Sequence, residues 1–263
     1  MKLGKLIANT ARRFKAARLH YGHGTDSAHG EATFLVVRGL GLPYNVSDAR
    51  EVDPSRVEAL IARRISERMP AAYLLNEAWL DGVKFYVDER VIVPRSHIAF
   101  LLQDLGNPKR ILDLCTGSGC LAALAARAHP RAQVVASDIS SAALAVARKN
   151  VGKRVRLVRS DLFRNIRGRF DLIITNPPYV DAPAMKKLPR EYLHEPRNSL
   201  AAGRDGLGFV RRILAEAKDY LAPNGLLLCE VGDSRAALER AYPKLEFSWP
   251  HESVFLLQRE GLG

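Results

Sequence analysis

The sequence predicts an α/β protein in which a doubly wound, mostly parallel sheet follows a small helical region. Three observations carry this. From about residue 96 onward, short apolar runs alternate with segments of helical period. The first run ends in a glycine-rich turn, ILDLCTGSGC (111–120), suited to bring backbone close to a ligand and to start a helix. Carboxylates also close three successive runs, at Asp113, Asp138 and Asp161. In open sheets of this kind ligands lie at the carboxyl ends of the strands, near the point where strand order reverses.

The elements follow in chain order. Residues 2–19 space Leu3, Leu6, Ile7 and Phe14 on one helical face, with six Lys/Arg elsewhere. The loop YGHGTDSAHG (21–30), with His20 just before it, holds three histidines without a helical scaffold, a pattern of turn residues more than of metal ligands. Helices are expected at about 29–39 and 54–68, the second opened by Asp53-Pro54 and stopped by Met69-Pro70. Over 72–93 the period becomes two, and Asp81-Gly82 between apolar runs signals a β-hairpin. Strands are expected near 110–114, 133–137, 155–159, 170–175 and 225–231, with a last pair near 244–248 and 252–258. Helices near 119–129, 140–150 and 207–221 separate them. The expected division is a helical domain over 1–71, a hairpin linker over 72–95 and the sheet domain over 96–263.

Composition narrows the function. The chain has 263 residues, 47% of them hydrophobic, enough for one large domain and a smaller one. It shows no apolar run of membrane length and no signal-peptide core, so a soluble, cytoplasmic location is expected. Cys115, Cys120 and Cys229 form no CxxC pair and are expected as small core residues, with neither a disulfide framework nor a zinc site. The net charge is +12, and nine Lys/Arg between Arg148 and Arg169 face only Asp161 as an acid. Such a surface suits nucleic acid or a nucleic-acid-bound partner, although a solvated helix face explains any one member of the run.

The chemistry is expected at the end of the run FDLIITNPPYV (170–180). Pro177 and Pro178 have fixed φ and no N–H, so the Asn176 amide and the Pro177 carbonyl can be held as two acceptors facing one site. A planar –NH2 group, a carboxamide or an adenine amine, would give both hydrogens to that pair, with Tyr179 as an aromatic wall. Its lone pair is tied up in resonance, so catalysis must orient it against an electrophile. An ordinary strand-exit turn is the competing reading. At the glycine turn, GSGCLA (117–122) also matches a dinucleotide fingerprint, which keeps a NAD enzyme open. Against it, Asp113 would repel a pyrophosphate and would instead meet a ligand's ammonium. Asp138 sits where a ribose would lie and Asp161 where an adenine amine would.

The order ILDLCTGSG, SDIS, SDLF, NPPYV resembles class I S-adenosylmethionine-dependent methyltransferases. HEPRNSLAAGRDGL (194–207) is similar to the matching segment of HemK-type protein glutamine methyltransferases. VPRS (93–96), LCTGSGC (114–120), YGHGTDS (21–27) and YLHEP (192–196) resemble the branch acting on a glutamine of large-subunit ribosomal protein three. The release-factor branch usually continues VPR with Pro-Asp-Thr-Glu and has a glycine where Cys115 stands.

The resemblance implies a Rossmann-like seven-stranded sheet with its last strand antiparallel. It implies S-adenosylmethionine held by Asp113, Thr116, Gly117, Gly119, Asp138, Ile139, Asp161, Leu162 and Asn176. Asn176, Pro177, Pro178 and Tyr179, with Arg95, would receive the glutamine for metal-free SN2 transfer to its amide nitrogen. Implied partners are ribosomal protein three, free or in an assembling subunit, and ribosomal RNA along the basic surface. Release-factor and nucleic-acid adenine methyltransferases, and a non-catalytic assembly binder, are the alternatives.

Overall fold

A computed structural model describes residues 1–262. The helical region comprises α1 (Leu3–Ala16), α2 (Ala28–Gly39) and α3 (Ser55–Ser66). Leu3, Leu6, Ile7 and Phe14 of α1 are buried, as their spacing requires. The Ser27 hydroxyl caps α2 by accepting from the Gly30 N–H at 3.1 Å.

The stretch 72–93 differs from expectation. A fourth helix, α4 (Ala71–Leu75), occupies its start, and the hairpin is only β1 (Ala78–Leu80) paired with β2 (Val83–Phe85). Pro70 preorganises the helix start, where a missing N–H costs nothing, and Asn76 ends it in the left-handed region at φ 50°. Asp81 and Gly82 both take positive φ, as a tight hairpin turn demands. Beyond Phe85 the backbone finds partners other than a strand. Asn150 accepts from the Tyr86 N–H at 2.7 Å and donates to its carbonyl at 2.9 Å, and Asn76 donates to the Val87 carbonyl at 3.0 Å.

The sheet domain runs β3 (Arg110–Leu114), α5 (Cys120–Ala128), β4 (Gln133–Asp138), α6 (Ser141–Asn150), β5 (Val155–Arg159) and β6 (Phe170–Thr175). A short α7 (Ala182–Met185), then α8 (Gly208–Tyr220), β7 (Leu221–Glu230), α9 (Arg235–Ala241), β8 (Ser248–His251) and β9 (Val254–Gln258) complete it. Spatial order is β5-β4-β3-β6-β7-β9-β8, and β9 is antiparallel to its neighbours. The sequence reading misses α9, a seven-residue helix with the single apolar anchor Leu238 among Ala, Glu and Arg, squeezed between Gly232 and Pro243.

Residues alternate across the sheet. Ile111, Leu172, Ile174 and Leu228 pack with α5 on one face, while Leu112, Ile173, Leu227 and Phe255 pack with Val210, Ile213 and Ala217 of α8 on the other. Ala143 and Val146 of α6 join the core of the helical region, which thereby seats against the sheet domain. Order reverses at β3, where β4 flanks one side and β6 the other. The exits of β3, β4 and β6 therefore open on one crevice.

Candidate active site

The first cavity, about 270 Å³, sits at that switch point. Gly117, Asp138, Ile139, Asp161, Leu162 and Asn176 line it. The β3 exit loop reaches it by a tight turn in which Cys115, Gly117 and Gly119 all have positive φ. Cys115 thus takes, at φ 57°, a conformation that a glycine would adopt without strain. It is half-buried in the cavity wall, whereas the other two cysteines are buried as expected. A Cβ on Gly117 would meet no heavy atom within 4 Å, since it would stand in the open cavity.

Three expected cofactor residues lie behind the wall rather than in it. Asp113 is fully buried: its Oδ2 accepts from the Thr116 hydroxyl and, at 3.0 Å, from the Ala122 N–H in the first turn of α5. Burial pushes its carboxyl up to about 7, and its Oδ1 has no partner within the protein. Thr116 is spent on that bond. Gly119 has no side chain because a Cβ there would come within 2.8 Å of Val151, so it permits α6 to pack. Strand alternation explains the Asp113 result: Leu112 and Leu114 face α8, and Asp113 between them points toward α5.

Asp138 lines the cavity and also shapes it. Its Oδ2 accepts from the Gly117 N–H at 2.9 Å and its Oδ1 from the Ser140 N–H at 2.9 Å. Asp161 pairs with Arg212 of α8 at 2.9 Å. Ile139 is 55% exposed, an unusual state for its side chain, and with Leu162 and Phe209 it offers the cavity an apolar end.

A second cavity, about 230 Å³, lies beyond the β6 exit. Arg95, Pro177, Tyr179, Tyr192 and Asp233 line it, while Ile92, Asn176, Pro178 and Ser199 line both cavities. Asn176 and Pro178 therefore form the partition between the two spaces.

The partition is held from three sides. The Thr175 hydroxyl donates to the Leu114 carbonyl at 3.0 Å, locking β6 to β3. Val180 forms a parallel bridge with Ala201, through the Val180 N–H to Leu200 at 2.9 Å and the Ala202 N–H to Val180 at 2.9 Å. Two glycines at positive φ complete the seat: a Cβ on Gly232 would stand 2.5 Å from the Tyr179 ring, and one on Gly206 would stand 2.5 Å from the Tyr179 carbonyl.

The helical region contributes as well. Glu195 is buried and takes both terminal nitrogens of Arg95 at 2.6 Å each, plus the Val93 N–H at 2.9 Å. His23 places Nε2 3.7 Å from the same carboxylate and its ring 4.4 Å from that of Tyr192. Burial, together with the Arg95 and Arg64 charges, pushes the His23 imidazole down to about 3, so it is neutral.

Residues 97–205 match the family described as Methyltransferase small domain. The ribosomal protein uL3 glutamine methyltransferase of Neisseria meningitidis serogroup B is 48% identical over 95% of this chain and 90% of its own length. That of Bordetella pertussis is 47% identical over 99% of this chain and 96% of its own. This chain belongs to the uL3 glutamine methyltransferase family. Among solved structures, the hMettl16 catalytic domain has the same fold, with TM-score 0.51 and 17% identity over 66% of this chain and 74% of that one.

Several cavity residues of this uL3 glutamine methyltransferase family member escape sequence reasoning. Phe209 and Arg212 come from the first turns of α8, Ser199 and Tyr192 from the segment 190–202, and Asp233 from the turn after β7. The segment HEPRNSLAAGRDGL was the available signal, because Glu195, Ser199 and Gly206 within it all abut the site.

Proposed function

We propose that this chain methylates the side-chain amide nitrogen of a glutamine in ribosomal protein uL3, with S-adenosylmethionine as donor. The observation that carries the reading is the shared partition: two cavities separated by Asn176 and Pro178, one fit for the donor and one for the acceptor.

The first cavity suits that donor. Asp138 and Asp161 outnumber Arg212 in its wall, a balance that attracts a ligand of net positive charge and opposes a pyrophosphate. The apolar end beside Asp161 fits a purine whose amine needs an acceptor, and Asp138 is placed for ribose hydroxyls. The donor, when bound, supplies a methyl on a sulfonium, which is electrophilic without a metal.

On the other side, the Asn176 side-chain oxygen and the Pro177 carbonyl accept the two hydrogens of the glutamine amide, and Tyr179 covers its plane. Held this way, the nitrogen presents its lone-pair axis toward the first cavity. The amide is too weakly acidic to ionise beforehand, so its nitrogen would take the methyl as the S–CH3 bond breaks to leave a neutral thioether, and would lose one proton to water with or after that attack. The fixed φ of Pro177 and Pro178 keeps both acceptors in place before the reaction, so little reorganisation is needed.

In this reading residues 1–71 serve substrate recognition, 72–95 link, and 96–263 carry out transfer. Among the described residues no helix is long and apolar enough to cross a membrane. A ribosomal protein as substrate supports a cytoplasmic site of action.

The deciding assay incubates the protein with labelled S-adenosylmethionine and uL3, then locates the label by peptide mass spectrometry. Label on a glutamine nitrogen is expected; label in RNA alone, or none, removes the proposal. Asp138→Ala is expected to weaken donor binding by roughly 1.5–3 kcal/mol, through lost charge-assisted bonds and release of the Gly117 N–H. Calorimetry showing unchanged affinity would take Asp138 out of the site, and a parallel titration with NAD should give no binding.

The basic run also enters the proposal. Arg156 and Arg159 lie on β5, the edge strand of the sheet, where charged side chains also guard against strand pairing. If the surface meets ribosomal RNA, methylation of uL3 within assembling subunits should fall more steeply with salt than methylation of free uL3. Equal salt slopes would leave the run as a solvated, protective edge.

A further inference from the structure

The acceptor cavity contains an unusual ingredient for a site that takes a neutral carboxamide. Arg95 lines it, and a partly buried guanidinium is a natural partner for a carboxylate through two parallel hydrogen bonds. Left free, Arg95 would favour a glutamate side chain, which has nearly the shape of glutamine, over glutamine itself. The protein meets this problem from inside. Glu195 already occupies both terminal nitrogens of Arg95 at 2.6 Å each, from a position with no exposed side-chain surface. Val93 adds its N–H to that carboxylate, fixing the carboxylate's position. His23 stands behind it, unprotonated, and brings no second cation to share the carboxylate's charge. Asp233 is the acid that lines the cavity itself.

We propose that Glu195 is a specificity-determining residue: by closing the Arg95 fork, it keeps the acceptor cavity from binding a carboxylate in place of the glutamine amide. The inference rests on the glutamine reading above. It assigns the Arg95–Glu195 pair a role in excluding a competitor, where a purely structural pair would only join segment 93–96 to segment 190–196. Exclusion of this kind works by denying the competitor a partner and confronting it with like charge. Arg95 still stacks over the Tyr192 ring, 5.3 Å from its centroid, so its planar group remains useful as a wall.

The test uses full-length protein and uL3. The methylated glutamine is first located in uL3 by mass spectrometry, and a second uL3 is made with glutamate at that position. The glutamate form is then titrated as an inhibitor of methylation of ordinary uL3. With wild-type enzyme, inhibition is expected to be weak. With Glu195→Gln, which keeps the side-chain shape and an acceptor for Val93, the glutamate form should inhibit at least ~10-fold more tightly relative to the KM for ordinary uL3, a gain of about 1.4 kcal/mol. Glu195→Gln with Arg95→Gln should lose that gain, since the fork is gone. An unchanged ratio in Glu195→Gln overturns the proposal. If that variant does not fold, Glu195→Asp, which retracts the carboxylate by one methylene, carries the same comparison with a smaller gain expected, and no gain overturns the proposal. Wild-type enzyme that does not methylate uL3 at any glutamine would instead remove the reading of the site as a whole.

Discussion

Replacing Asn176 with alanine is expected to slow uL3 methylation on the order of 100-fold or more, because one oriented acceptor is lost from the transition state. Donor affinity should change little. Asp138, Asp161 and the backbone at Gly117 remain in the first cavity, and Asn176 touches that space only from the partition. Asn176→Asp keeps an acceptor of the same size and should retain measurable turnover. The fold should tolerate both changes, because the turn is held by Thr175, by the Val180–Ala201 bridge and by Tyr179 on Gly232, none of which needs the Asn176 amide. Single-turnover rates beside calorimetric donor affinities check this. Near wild-type turnover in the alanine variant would make the turn purely structural.

Part of each half of the site was legible in the sequence: Gly117, Asp138, Asp161 and Asn176 in the first cavity, and Arg95 with the Asn176–Tyr179 turn in the second. Gly117, Asp138, Asp161 and Asn176 lie at or within three residues of the ends of β3, β4, β5 and β6, so the end of a strand marks them. A parallel sheet then brings those ends together without further information. The rest of the acceptor cavity comes from residues such as Ile92, Tyr192, Ser199 and Asp233, in irregular segments whose meeting depends on tertiary packing. No period marks them.

Asp113 shows the limit in the other direction. Its place at a strand end was correct, yet a carboxylate one residue before that end points to the opposite face from its neighbours, and here that face is the start of α5. The hairpin was found from Asp81-Gly82, but its length was overread. The apolar alternation of residues 86–93 reflects burial of Val87, Val91 and Val93 against the helical region, with side chains of Asn76, Tyr73 and Asn150 serving the backbone groups that a strand would have served. Alternation reports burial on one side; it does not say what satisfies the main chain.

Arg64→Met is expected to destabilise the protein by about 3–5 kcal/mol, the usual cost of removing one partner from a buried ion pair. Arg64 lies on the apolar stripe of α3 with Val57 and Ile61 and is fully buried. Its Nη2 donates to Glu31 at 2.9 Å and to the His20 carbonyl at 2.9 Å, while Nη1 lies 3.5 Å from Glu191. Methionine fills much of the same volume but leaves Glu31 with no countercharge, in a place where burial already pushes its carboxyl above the usual range. Glu191 is better protected, since it keeps Arg68 at 3.2 Å and the His20 N–H at 3.0 Å. A thermal midpoint lower by on the order of 10 °C is therefore expected. Adding Glu31→Gln to Arg64→Met should recover part of the loss, because the stranded charge is gone, and a double-mutant cycle measures that coupling. The functional consequence follows from position. Glu191 and Glu195 flank Tyr192, and both are held by residues of the helical region or its approach to the sheet. Loosening this clamp should raise the KM for uL3 more than it lowers kcat, since Tyr192 walls the acceptor cavity while Asn176 is anchored elsewhere. A loss of stability below about 1 kcal/mol would show instead that Arg64 is an ordinary buried stem whose charge the site does not use.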